Sequence, residues 1–341
     1  MTAHVRDDDS KTHRIRLLPE KDDKPDKPGD APTPEQVRRT IIVSLSVCTF
    51  YILISSSMVF TNKALSYTYD FRTTNVLLLF QMFFTIVLLR ILRSMNLIEF
   101  SDFDLSRAKQ VAPVSIFYSL NAAVALVALR ELSVPSYTLI KRLAPLFTIS
   151  LEAILLKKYA TRSIIFALLI MASGTVLAAN ADSSSSTFAW LLGFTSCAFQ
   201  ALYLTFVKRS GIDTGMSSFG ILYYHSILSI PCISAIVLAV GEIGPALAYD
   251  KWGSPSFLIV FISSLFMGLL LNYALFLCTE FTSPTSTVVS GQVKAMGQTI
   301  IGIFTFGGVD LNLRYICGTL LNILGGFMYA YSKLKLIRER G

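Results

Sequence analysis

Acid is scarce inside the long apolar runs of this chain: Glu152 is the one carboxylate placed well within such a run. Histidine is nearly missing too. His4 and His13 fall in a polar N-terminal segment and only His225 lies in an apolar run, which argues against a histidine-based metal site or triad in the apolar body. Paired aspartates able to hold magnesium there are also lacking. No catalytic constellation is visible, so neither an enzyme nor a metal or other cofactor is expected. The five cysteines (Cys48, Cys197, Cys232, Cys278 and Cys317) all sit in apolar runs without metal-ligand spacing, and read as small buried hydrophobes. With 53% hydrophobic and 15% charged positions in 341 residues, an ordinary soluble protein is excluded as well.

What is present is a series of apolar runs near 20 residues, the length that spans a bilayer as a helix. Ten are expected, at 40–62, 73–93, 110–130, 134–156, 162–180, 187–207, 215–240, 256–279, 283–306 and 313–334. Residues 1–39, mixed in charge and holding five prolines, read as a disordered tail. Residues 335–341 read as a second, short tail. The start is polar and the first apolar run is itself long enough to span, so no cleavable leader is expected.

The net charge of +8 follows the same plan. With both termini cytosolic, 22 of the 30 cations flank the cytosolic ends of the runs, 5 flank the opposite ends, and Lys141, Arg142 and Lys294 remain inside. That bias predicts cytosolic termini and argues against nucleic acid as a partner.

An internal echo predicts the architecture. A shift of 149 sets Ser115, Phe117, Leu120, Glu131, Pro135 and Thr138 on Ser264, Phe266, Leu269, Glu280, Pro284 and Thr287. A shift of 152 sets Arg162, Ile164 and Gly174 on Arg314, Ile316 and Gly326. The fold expected is an all-α polytopic membrane protein whose ten transmembrane helices form two inverted five-helix repeats, 40–180 and 187–334. Five spans per repeat is an odd number, so the repeats must be inverted and related by an axis in the membrane plane. Inverted halves favour a transporter, since they can rock about a central site.

Lys294 is the sharpest candidate for that site. It lies about 11 residues into its run, roughly 16 Å deep, where an uncompensated cation is costly and signals function. Lys141 and Arg142 fall at the corresponding place in the first repeat, opposite Ser290 and Gly291. Three cations against Glu152, which is near Lys157 and Lys158 and reads as interfacial, leave a net positive interior suited to phosphate. Gly291 and Gln292 precede the lysine, and the glycine would let a ligand approach. Tyr223 and Tyr224 offer faces for a base, while Asn121 and Asn272 either join helices or touch substrate.

The chain resembles the nucleotide-sugar transporters of the drug/metabolite transporter superfamily over nearly all of 40–335. The resemblance rests on Asn62-Lys63-Ala64-Leu65, Phe100-Ser101-Asp102-Phe103-Asp104, Leu132-Ser133-Val134-Pro135 with Thr138 and Lys141-Arg142, and Ser290-Gly291-Gln292-Val293-Lys294. It is similar above all to the group containing UDP-glucuronic acid/UDP-N-acetylgalactosamine transporters. The resemblance implies exchange of a cytosolic nucleotide sugar for a lumenal nucleoside monophosphate, in the Golgi or endoplasmic reticulum membrane, with lysines of helices 4 and 9 on the phosphates. Where GDP-mannose transporters carry Phe-Tyr-Asn-Asn and Gly-Ala-Leu-Asn-Lys, this chain reads Tyr223-Tyr224-His225-Ser226 and Gly291-Gln292-Val293-Lys294-Ala295, which favours a UDP-sugar. A GDP-mannose transporter, a translocator of small organic phosphates and a membrane-embedded enzyme acting on a lipid-linked sugar phosphate are the alternatives. A homodimer stays open.

Overall fold

The computed structural model describes residues 34–131, 140–178, 187–306 and 313–339, and these contain helices and no strands. In chain order the long helices are α1 (Pro34–Lys63), α2 (Thr74–Ser94), α3 (Leu105–Glu131), α4 (Ala144–Leu155), α5 (Arg162–Ala178), α6 (Thr187–Thr214), α7 (Ser218–Val240), α8 (Pro255–Phe281), α9 (Pro284–Phe306) and α10 (Leu313–Glu339). Helix is the structure that satisfies every backbone group within one apolar segment, which a bilayer demands. Five of these segments are long and apolar enough to cross a membrane: Pro34–Ser66, Thr74–Ser94, Thr187–Thr214, Ser218–Val240 and Pro255–Phe281.

Three expectations need correction. Helix α1 starts at Pro34, so the tail expected to reach residue 39 ends inside a helix; residues 1–33 lie outside the described ones. Helix α10 continues to Glu339, past the expected end at 334, and carries a Lys335–Glu339 pair at 3.6 Å on its exposed face. The fourth helix does not run unbroken: Ile140–Arg142 is helical, Leu143 is a turn, and α4 begins at Ala144. Residues 132–139, where its start was expected, lie outside the described ones.

Between α7 and α8 the chain forms a short helix (Ile243–Leu247) and a 3-10 turn (Asp250–Gly253). An aromatic cluster of Phe71, Tyr249, Trp252, Phe257 and Phe261 secures them, with ring centroids of touching pairs 4.9–6.0 Å apart. Such a belt suits a membrane–water boundary. Glu242 closes this end, its carboxylate accepting hydrogen bonds from Asn75 N (2.9 Å), Asn75 Nδ2 (2.7 Å) and Val76 N (3.1 Å) in the first turn of α2. An acid at a helix N-terminus both satisfies orphan amides and complements the dipole.

Helix packing has a regular plan. Helix α1 lies on α8 and α3 on α6; α3 lies on α7 and α2 on α8; α4 lies on α6 and α1 on α9; and α2–α7, α4–α9 and α5–α10 also pack together. Within these nine pairs a shift of five, counted around the ten helices, returns each pair to another member or to itself, whereas the contacts of α8 with α6 and α7 have no such counterpart among the described residues. Large apolar side chains such as Leu53, Phe60, Phe166, Phe188, Ile259 and Phe327 face outward, as expected where the surroundings are acyl chains rather than water.

The α5–α10 contact depends on glycine. A Cβ at Gly174 would lie 2.7 Å from the Gly318 carbonyl oxygen, and one at Gly325 would lie 2.6 Å from Met171 Cγ. Gly174→Leu is therefore expected to force the pair apart at a cost of about 1–3 kcal/mol. Thermal unfolding in detergent should show a lowered midpoint, whereas Leu169→Ala, on an outward-facing position, should stay within about 0.5 kcal/mol.

Candidate functional site

The break before α4 follows from its sequence. In a continuous helix the Lys141 carbonyl would accept from the amide at position 145, but that residue is Pro145 and has no N–H. The carbonyl is instead filled from another helix: Gln292 Nε2 in α9 donates to Lys141 O at 3.0 Å. Around the break the backbone tightens, with Leu143 N donating to Ile140 O (2.9 Å) and Leu146 N to Leu143 O (3.0 Å). A discontinuous helix at this depth is tolerated where its freed groups find partners within the protein.

The Lys141 ammonium points across to α3 and α6. It donates to Ser196 Oγ (2.7 Å), Gln200 Oε1 (3.1 Å) and Asn121 Oδ1 (3.3 Å), and Ser196 Oγ itself donates to Asn121 Oδ1 (3.0 Å). Ser196 and Gln200 are four apart and so share one face of α6. These three acceptors are neutral oxygens. They replace part of the ammonium's hydration shell.

Lys294 is held more sparsely. Its ammonium donates to Ser55 Oγ of α1 at 2.6 Å, and among the described residues it forms no ion pair. Gly291 lies one turn earlier, and a Cβ there would meet only the Tyr51 hydroxyl, at an ordinary 3.5 Å. Arg142 is half-buried. The structure therefore joins α4 and α9 directly, brings Asn121 and Gln292 to Lys141, and sets Gly291 beside the face that carries Lys294.

Other expected site residues are placed elsewhere. Tyr223 is buried with its ring 4.7 Å from Phe100, and its hydroxyl accepts from Arg90 Nε (2.9 Å) and Nη2 (2.6 Å). The Tyr224 hydroxyl donates to Asp102 O (2.6 Å) and accepts from Asp104 N (2.8 Å), and its ring stacks on Phe103 at 5.3 Å. Both tyrosines thus anchor the α2–α3 connection rather than the lysines. In that loop the Arg93 guanidinium, 2.5 Å from Asp102, holds the Asp102 carboxyl below the usual carboxylate range. Asn272 gives its amide to the Gly268 carbonyl of its own helix (3.1 Å). His225 is buried with Nδ1 near Ser115 Oγ (3.1 Å) and Ser229 Oγ (3.3 Å).

Sequence reasoning missed Ser55, Ser196 and Gln200. The available signal was weak: small or amide side chains in apolar helices, two of them at helical spacing. Glu152 is also corrected. It does lie beside Lys158, whose amide donates to its carbonyl at 3.3 Å, but its side chain is turned into the bundle, only 7% exposed, and its carboxylate accepts from Thr285 N at 2.6 Å.

A helical bundle with apolar outer faces and five segments long and apolar enough to span a bilayer defines a membrane protein. The model of the Triose-phosphate Transporter family matches residues 41–330. The chain belongs to that family. It is 35% identical over 302 residues to UDP-galactose/UDP-glucose transporter 7 of Arabidopsis thaliana, covering 88% of this chain and 93% of the relative. A putative UDP-sugar transporter of Dictyostelium discoideum is 36% identical over 268 residues, covering 78% of this chain and 70% of the relative. Human nucleotide sugar transporter SLC35D2 is 28% identical over 308 residues, covering 90% of each. One solved protein structure shares the fold, with a TM-score of 0.59 at 12% identity over 86% of this chain and 98% of that one.

The Gln292 account predicts a double-mutant cycle. Gln292→Leu leaves the Lys141 carbonyl without a partner and should cost about 1–3 kcal/mol. Pro145→Ala restores a helical donor, so the same change in that background should cost clearly less. Thermal unfolding of the four proteins measures the difference, and equal costs would contradict the account.

Proposed function

We propose that the protein is a nucleotide-sugar antiporter that moves a cytosolic UDP-sugar into the lumen of the Golgi or endoplasmic reticulum in exchange for UMP, by alternating access. The observation that carries this reading is the contact between Gln292 of α9 and the Lys141 carbonyl just before α4, which brings together the segments bearing Lys141 and Lys294, both of which donate to side-chain oxygens. A diphosphate offers both ammonium groups charged acceptors. No bond of the substrate is broken, so the chemistry asked of the site is binding and release.

Ten spans in two inverted repeats suit this function. The helix contacts that repeat on a shift of five support that arrangement, as do the sequence echoes between the halves. The excess of cations at one set of helix ends supports cytosolic termini. Names of relatives support the substrate class, since the two most identical of those above carry UDP-sugars in their printed names. In the proposed site Lys141 and Lys294 neutralise the pyrophosphate and Arg142 adds to the local field. Gln292 fixes the break at Lys141, Gly291 leaves room beside Lys294, and Asn121 receives Lys141 when no ligand is present. Exchange follows from the charges: an empty site holding two buried ammonium groups is costly to reorient through the bilayer, whereas one filled by a monophosphate is less so.

Purified protein in liposomes preloaded with UMP should take up labelled UDP-sugar, and liposomes preloaded with GMP should not. Uptake independent of the internal nucleotide would contradict exchange. Lys294→Ala should lower uptake at least about tenfold, the scale of one charge-assisted hydrogen bond to phosphate. Inhibition by triose phosphate but not by UMP would instead identify a translocator of small organic phosphates.

A further inference from the structure

Glu152 has no part in the proposed phosphate site, yet it is a buried acid in the same helix pair. It lies 11 residues beyond Lys141, past the turn at Leu143, and meets the first turn of α9. There its carboxylate accepts from Thr285 N at 2.6 Å. Pro284 opens α9 without an N–H of its own, so the Thr285 amide is an early orphan donor of that helix. A charged acceptor at this point gains from both the hydrogen bond and the helix dipole.

The surroundings make this end of the bundle tight. Ser286 Oγ pairs with Tyr329 Oη at 2.9 Å and with Ser283 Oγ at 3.0 Å. Ser218 Oγ donates to Glu280 Oε2 at 2.5 Å, and Lys208 Nζ donates to the Glu280 carbonyl. Polar contacts here thus tie together α4, α6, α7, α8, α9 and α10. Within this set the Glu152 bond is the one joining α4, which directly follows Lys141, to α9, which carries Lys294.

The arrangement is one-sided in sequence. At the shift of 149 that relates the repeats, Pro284 corresponds to Pro135 but Glu152 corresponds to Ile301. The sequence therefore places no acid at the position of α9 that corresponds to Glu152. Gln292 joins α9 to the Lys141 carbonyl just before α4, where a pivot would sit.

We infer that Glu152 is a latch: its bond to the Thr285 amide holds α4 and α9 together at the end where α4 finishes, and it must release for the site to open there. Glu152 acts through α9 and is a positioning residue for transport, an inference that rests on the antiporter reading. In an unliganded protein the latch biases the population toward closure at this end, and its loss shifts that population without touching the phosphate contacts.

The test combines hydrogen exchange on the full chain in lipid nanodiscs with nucleotide exchange in proteoliposomes, for the unmodified protein, Glu152→Gln and Glu152→Ala. Without nucleotide, the amides of 285–287 should exchange at least about tenfold faster in Glu152→Ala, the bias expected from one charge-assisted hydrogen bond. Those of α5 and α10 should keep their unmodified rates. Transport should show an altered half-saturating UDP-sugar concentration together with an altered maximal rate, and Glu152→Gln, which retains an acceptor, should lie between. Unchanged amides at 285–287, or a rise spread over every helix, would overturn the latch; so would locally faster amides with unaltered transport kinetics. If the unmodified protein moved no nucleotide sugar, the antiporter reading would fail, while the exchange data would still report whether the bond controls this end.

Discussion

The arrangement turns on how an apolar bundle accommodates buried ammonium groups. Ser196, Gln200 and Asn121 offer Lys141 neutral oxygens that replace part of its solvation. Lys294 shows the same solution in simpler form, donating to Ser55. Much of the nearby geometry serves these contacts: Pro145 breaks the helix at Lys141, and Gln292 makes that break tolerable.

The bundle is polar where helices meet near the lysines and apolar where they face outward. Leu53, Phe166 and Phe327 are exposed while Tyr223, Tyr224 and His225 are buried. Bilayer and substrate explain this together: acyl chains favour the first group, and the second lies within the helix packing around α7. Glycine sets the spacing at α5–α10, where Gly174 and Gly325 admit the partner backbone.

Much of this was legible in the sequence. Apolar length placed most of the described helix boundaries to within about three residues, because backbone satisfaction in lipid leaves few alternatives, while the starts of α1 and α3 and the ends of α6 and α10 reach five to seven residues further into polar sequence. The depth and isolation of Lys294 were readable from spacing alone, and the repeat pointed to Lys141 before any contact was known. Less legible were the residues defined by what they meet. Tyr223 and Tyr224 look like base-stacking aromatics in one dimension, but their partners, Phe100 and Phe103, come from a loop more than a hundred positions away. Glu152 reads as a residue near a charged helix end until α9 is placed against it. Ser196 and Gln200 carry no signal beyond polarity, and only the position of Lys141 gives them meaning.

The most direct measurement is a structure of the full chain with UMP bound. The account predicts phosphate oxygens within hydrogen-bond distance, about 2.7–3.2 Å, of both Lys141 Nζ and Lys294 Nζ, with contacts to Ser196 and Ser55 lengthened or lost. A bound nucleotide that left both ammonium groups on their present neutral partners, with its phosphate held by other residues, would contradict it.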